Sequence, residues 1–368
     1  MSYGVNIVGP VFGELGIGED VRQLAHAILS LGIPISIINY PRTGNFAESN
    51  YHSLESYVTN RFSHNCSIFC LPLIESYRFF LEFGSAKFQN RYNIGYAAWE
   101  LESWPVDFAF IGSLFDEIWA SSAHTYQAYQ ANLKQPIYRI PLIVSIADSV
   151  SLENPSHFTN IDQSKFNFLY AFDSNSTFSR KNPWDAVIAF QKAFDQESHV
   201  SLVLKTMHYQ NNDQELNKLL ENNKNIVLIN KCFSRLDMFS LYKACDAYVS
   251  LHKAEGFGRT IAESMLLKRP TIISNYSGNT DFCTKENSFL VDGKLEAVAP
   301  FSYPFWQGNR WFSPDLDSAT AQMYKCFSNP SMRNSIVETA FQSIVSDFSI
   351  EKVRKDIYGR LSKILKRF

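Results

Sequence analysis

The sequence predicts an α/β protein of two similar domains, each a parallel sheet with helices on both faces. Three observations carry this expectation. At 368 residues the chain exceeds what one ordinary hydrophobic core organises. Short apolar runs alternate with stretches of helical periodicity, the pattern of βαβ units. Midway, residues 145–163 turn polar and irregular, with Asn154, Pro155 and Asn160, and a fresh β run, FNFLYAF, restarts the alternation. Domains are therefore expected over 1–150 and 164–345, with a closing segment over 346–368.

In the first domain a strand over 4–9 (GVNIVG) runs into the glycine-rich turn GPVFGELGIGED. A helix over about 19–31 follows, with Val21, Leu24, Ala25 and Ile28 at helical spacing, and then a second strand, PISIINY. The glycines read Gly13-x-x-Gly16-x-Gly18, which reverses the dinucleotide-binding order, and no acid ends the second strand to hold a ribose. An NAD-dependent oxidoreductase is disfavoured, although such a loop still lets backbone approach a ligand closely. Residues 41–65 are polar and predict a loop with a short helix. Further strands are expected at about 67–71, 92–97, 117–120 and 137–140.

Within YAAWELESWP, Trp99, Glu100, Glu102 and Trp104 offer the aromatic faces and carboxylates that suit a sugar acceptor. Core packing explains either Trp equally well, and a surface position explains Glu102. In WASSAHTYQAY, Ser121 or Ser122 suits a helix N-cap. His124 lies near the sheet edge, where it is either a surface residue or an acceptor contact.

In the second domain, FNFLYAF leads to DSNSTFSRKNPWDAVIAF, where Arg180 and Lys181 precede a proline at a helix start. Two cations there suit a diphosphate, or form a solvated basic turn. Asp173 and Ser176 share the loop. Lys205 ends the next strand, SLVLKTM, and points toward the ligand edge. The stretch AYVSLHKAEGFGRTIAE is a strand, a turn containing Gly256 and Gly258, and a helix N-terminus that suits phosphate. Glu255 and Glu263 flank that turn, and ionised carboxylates accept hydrogen bonds from sugar hydroxyls. Their eight-residue offset spans about 12 Å if helical, near the size of a nucleotide sugar. A strand and loop, RPTIISNYSGNTDF, come next; Tyr276 there either stacks on a ligand or packs. Asp315-Leu-Asp317 precedes a helical pattern, so it predicts a helix cap and not a metal site.

Composition narrows the class. Hydrophobic content of 45% with 19% charged residues argues against disorder, and a formal charge of −2 provides no basic face for nucleic acid. No stretch of about 18 apolar residues and no leader-like start occurs. The expectation is a cytoplasmic protein, or one peripheral at the inner face of a membrane. Six scattered cysteines lack zinc spacing and predict free thiols. The final IEKVRKDIYGRLSKILKRF is an amphipathic helix, with Ile350, Val353, Ile357, Leu361 and Leu365 on one face; its basic, apolar end also suits an anionic membrane surface.

The E-x7-E arrangement of EGFGRTIAE, followed by PTIISNYSGNTDF, resembles the donor site of retaining GT-B glycosyltransferases of family 4. The WE-x-x-x-x-P pattern of Trp99, Glu100 and Pro105 resembles one subgroup. The resemblance implies a GT-B fold: two Rossmann-like domains facing across a cleft, the C-terminal helix crossing back to pack on the N-terminal, acceptor-side domain. It implies that Glu255 holds donor hydroxyls, Glu263 binds the ribose, and Arg180 and Lys181 clamp the diphosphate. Gly256, Phe257, Gly258, Thr260, Ser277, Gly278 and Asn279 would border the donor, with Gly16 and Gly18 facing its phosphates and residues 230–233 beside the base. Two departures stand out: Trp99 and Glu100 replace the family's usual first-domain His, and Arg180 substitutes for an Arg usually found at a strand end. The implied function is transfer of a hexosyl unit from a GDP- or UDP-sugar to a glycan or lipid-linked oligosaccharide in bacterial surface polysaccharide synthesis, without metal or cofactor. A nucleotide-sugar epimerase and a non-catalytic nucleotide-sugar-binding partner of another transferase are the alternatives.

Overall fold

The computed structural model describes residues 2–41, 52–146, 158, 160–221 and 223–368. Most of the 41–65 loop before residue 52, and most of the 145–163 linker, lie outside the described residues. The chain forms two compact units: Met1–Ser145 with Ser346–Phe368, and Ile146–Val345.

The first unit is built on β1 (Ser2–Gly9), β2 (Ile35–Asn39), β3 (His64–Phe69), β4 (Tyr92–Ala97), β5 (Glu117–Ala120) and β6 (Ile137–Arg139). All pair in parallel, in the order β2-β1-β3-β4-β5-β6. The central strands are buried on both faces, which is why they read as continuous apolar runs and not as alternation. The first helix, Gly16–Ser30, starts a turn earlier than its apolar spacing indicates. Gly18 explains the difference: a Cβ there would fall inside contact distance of the Gly13 carbonyl, so only glycine lets the helix grow directly out of the turn. Arg22, fully buried, donates from Nη1 to the carbonyls of Val11 (2.8 Å) and Gly13 (3.0 Å) and from Nε to Glu19 (3.0 Å), clamping that turn from inside.

The closing helix Ile350–Leu365 belongs to this first unit and buries Val353, Ile357, Leu361, Ile364 and Leu365 against it. Its apolar face is therefore used internally, while Lys363, Lys366, Arg367 and Phe368 stay exposed beside it. No helix among the described residues is long and apolar enough to cross a membrane. The helix is pinned by Arg360, which pairs with the fully buried Glu117 at the start of β5 and lies 3.6 Å over the Tyr138 ring. Tyr92 Oη (2.8 Å) and Trp119 Nε1 (2.7 Å) also donate to Glu117.

The second unit contains β7 (Phe166–Ala171), β8 (Val200–Thr206), β9 (Ile226–Asn230), β10 (Ala247–Ser250), β11 (Thr271–Ser274) and β12 (Phe289–Val291), again parallel throughout. Their order is β12-β11-β10-β7-β8-β9. The chain winds outward from β7 to β9, then returns so that β10 pairs with the other side of β7. Helices cover the sheet, and Phe168, Phe190, Phe194, Leu202 and Val249 anchor one core cluster. An antiparallel pair, β13 (Gly293–Ala297) and β14 (Arg310–Pro314), was not anticipated from the sequence. Asp315 caps the helix Leu316–Ser328, its side chain accepting from the Ser318 amide, and Ser122 likewise caps Ala123–Asn132.

Arg360→Met strands a buried carboxylate. The expected cost is roughly 2 kcal/mol in urea unfolding at pH 7, below the range for a fully buried pair because Arg360 is partly exposed. Adding Glu117→Gln should recover most of it. Wild-type stability in R360M would show that Glu117 does not depend on this partner.

Candidate active site

The winding reverses between β7 and β10, and ligands bind open α/β sheets at such a point, beyond the carboxyl ends of the strands. The loops that follow these two strands carry the sequence's candidate residues and are tied together by backbone: Lys253 N donates to Arg180 O (2.8 Å). After β7 a single turn, Phe178–Lys181, ends at Asn182 in the left-handed region, and Asn182 Nδ2 donates to Leu251 O (3.0 Å).

Glu255 is the meeting point. Lys181 pairs with its Oε1, and Arg180 Nη1 lies 3.2 Å from the same oxygen. Arg180 is itself buried, with Nη1 donating to Ala254 O (2.7 Å) and Nη2 to Ser176 O (3.2 Å). Burial opposes ionisation of Glu255, but Lys181, Arg180 and His252 outweigh it and bring its pKa down to about 2. Glu255 is thus a fixed anion at any physiological pH. It can accept hydrogen bonds and position a ligand, but it is not a proton donor.

The loop after β11 supports this carboxylate from below. The Glu255 amide donates to Ser277 Oγ (2.8 Å), and the Gly278 amide donates to Glu255 O (2.8 Å). A Cβ on Gly278 would collide with the Gly256 carbonyl, so the two loops interlock only with glycine there. Asn279 is fully buried, donating to Ser274 O (3.0 Å) and lying 3.0 Å from His252 Nε2. His252, whose other ring nitrogen meets Ser250 Oγ at 3.0 Å, has its pKa lowered by burial. Tyr276 stacks in parallel on Phe312 (5.6 Å, 7°), which assigns it to packing.

Glu263 lies in the helix Arg259–Leu266 that begins just after Gly258. It is buried and receives Arg235 Nη1 (2.6 Å), with Arg259 Nη1 at 3.6 Å and Tyr242 Oη at 3.4 Å. Thr260, in the first turn, reaches the buried Tyr248 phenol. Phe257 packs on Phe282 (5.2 Å). Lys205, 5% exposed at the end of β8, lies 5.5 Å from the Phe233 ring centroid, and burial lowers its pKa.

The structure therefore brings Arg180, Lys181, Glu255, Gly256, Ser277 and Gly278 together, with Glu263 one helix turn beyond Thr260. Arg235, Arg259 and His252 were missed from the sequence. Of these, Arg259 had a legible signal, its i,i+4 spacing to Glu263. Gly16 and Gly18 belong to the first unit, at the start of its first helix. Trp99 and Trp104 are both buried there and pack against each other (4.7 Å), so packing accounts for them. His124 Nε2 lies 2.8 Å from Glu100 O, fixing its helix to the WELES segment, while Glu100 and Glu102 are partly exposed. No group of three or more His, Cys, Asp or Glu among the described residues is arranged for a metal.

Two six-stranded parallel α/β units of this kind define the GT-B fold. Residues 167–299 match the family of glycosyl transferases group 1, and fold and match together support a glycosyltransferase. No curated protein matches the chain at a significant level. Among solved structures it is similar to a glycosyltransferase from Rickettsia africae ESF-5, with a TM-score of 0.71, 16% identity and 100% of each chain covered. It is also similar to Anabaena HepE, solved in complex with UDP and glucose (0.67, 15%, 98% of this chain and 100% of that one). A third is sucrose-phosphate synthase from Thermosynechococcus elongatus (0.65, 12%, 100% of each chain).

Arg180→Met removes a cation from Glu255 and the donor from two loop carbonyls, an expected loss of about 2 kcal/mol at pH 7. Because the folded-state pKa of Glu255 is depressed, its contribution is complete above about 4.5 and disappears as pH falls toward about 2. The gap between wild type and R180M, followed by urea unfolding, should accordingly narrow through that window. A constant gap would mean that Arg180 acts only on the carbonyls.

Proposed function

We propose that the protein is a retaining glycosyltransferase that moves a hexosyl unit from a GDP- or UDP-sugar to a hydroxyl of a glycan or lipid-linked oligosaccharide, on the cytoplasmic side in bacterial surface polysaccharide synthesis. The observation that carries this is Glu255, kept ionised at the switch point by two cations, beside a helix N-terminus. Glu255 accepts hydrogen bonds from donor-sugar hydroxyls, and Glu263, oriented by Arg235, accepts from the ribose. Lys181 meets the diphosphate, and the N–H groups opening the Arg259–Leu266 helix add their positive end. Arg180, committed to Ala254 and Ser176, is a positioning residue that shapes the Glu255 loop. The neighbour solved with UDP and glucose supports a nucleotide-sugar donor.

In this mechanism the bond from the anomeric carbon to the β-phosphate oxygen breaks, and the acceptor oxygen bonds to the same face. The acceptor proton passes to the departing phosphate. Charge grows on that phosphate, so a preorganised cation lowers the barrier more than any proton transfer by the protein. The cations and the helix N-terminus offset the diphosphate charge, and the reaction calls on no cofactor. The acceptor-side roles of Glu100, Glu102 and His124 belong to the same proposal.

Two measurements test it. In a thermal-shift panel of UDP, GDP, ADP and their sugar conjugates, one nucleotide family should raise the midpoint with or without EDTA. Glu255→Ala should reduce turnover by about a hundredfold or more while leaving that nucleotide shift intact. An equal loss of nucleotide binding would overturn the division of roles between Glu255 and Glu263.

A further inference from the structure

The antiparallel β13–β14 pair carries a loop whose chemistry differs from the rest of the surface. Residues 297–309 read AVAPFSYPFWQGN: thirteen positions without one charged side chain, holding four aromatic rings. Phe301 is 90% exposed, and its ring lies 5.7 Å from that of Trp306. The loop is built to stay in this shape. Asn309 is buried at its centre, its amide nitrogen donating to Trp306 O (3.1 Å), its side chain to Phe305 O (3.0 Å), and its carbonyl accepting from Val298 N (3.0 Å). Phe301 and Phe305 both hold left-handed φ values, 64° and 61°, which bulky residues adopt only when surrounding structure enforces them.

The root of the pair is joined to the Glu255 loop. Phe312 N donates to Lys253 O (2.8 Å), Lys253 Nζ pairs with Glu296 (2.9 Å) and lies 5.2 Å over Trp311, and Phe312 stacks on Tyr276, the residue before Ser277. Rigid aromatic faces next to uncharged amide and hydroxyl groups suit the C–H faces and hydroxyls of a sugar ring. Within residues 297–309 no side chain is charged, and the cations at the root, Lys253 and Arg310, lie outside the aromatic tip.

We propose that the 298–309 loop is a carbohydrate-binding platform on which the exposed Phe301 ring stacks against a neutral sugar and Trp306, inclined at 57° to it, flanks the same sugar. Its use as the acceptor platform rests on the glycosyltransferase reading; sugar binding itself does not. The test is saturation-transfer NMR of the full chain with UDP present, against maltotetraose, cellotetraose, mannotetraose and chitotetraose. At least one should bind, and Phe301→Ala with Trp306→Ala should weaken it tenfold or more while the UDP thermal shift stays unchanged. Binding that survives the double substitution overturns the proposal. So does failure of all four sugars, with or without aromatic-dependent partition onto phosphatidylcholine vesicles. A wild type that binds sugar but no nucleotide leaves the platform standing and overturns the transferase reading instead.

Discussion

The contact of Lys181 and Arg180 with Glu255 is the constraint on which the second unit's ligand edge depends. Three charges sit in a largely buried place where any one alone would be costly. Together they balance to a single surplus cation, and their hydrogen bonds extend into the backbone of both loops through Ala254, Ser176 and the Lys253 amide. Charge pairing and loop geometry are therefore one property: the carboxylate stays ionised because the loops meet, and the loops meet because the cations reach across.

Strand order makes that meeting possible. Lys181 and Glu255 are 74 residues apart in sequence. They become neighbours only because β10 returns to pair with β7 after β8 and β9 have been laid down on the far side. Because β10 runs parallel to β7, the loop after β10 emerges at the same sheet edge as the loop after β7. The interlocked Gly256 and Gly278 then bring in the loop after β11, so three consecutive strand ends, β7, β10 and β11, share one site.

This explains which parts were legible in the sequence. Buried parallel strands leave continuous apolar runs, and Tyr92–Ala97 and Glu117–Ala120 were placed at their observed bounds from such runs alone. The E-x7-E spacing marked both carboxylates, but local pattern carries no information about which cations reach them. Arg235, which meets Glu263 across 28 residues, was invisible for that reason. Arg22 was hidden by its place in an amphipathic helix, where an arginine ordinarily faces water; unpaired carbonyls in the glycine-rich turn draw it inward instead. The β13–β14 pair was missed because GKLEA is only five residues long and most of them are exposed, so its alternation marks no buried face.

The difference between Arg180 and Lys181 follows from side-chain chemistry. A guanidinium offers a rigid fork of donors, and here two of its nitrogens are already engaged with carbonyls, so moving it would strand them. An ammonium on a flexible stem carries no such fixed geometry, and Lys181 is the more exposed of the two side chains at 16% against 5%. In the proposed reaction an incoming diphosphate therefore draws Lys181 toward itself while Arg180 keeps Glu255 charged and its loop in shape. The buried arginine holds the site, and in the proposed reaction the more exposed lysine beside it meets the charge that develops.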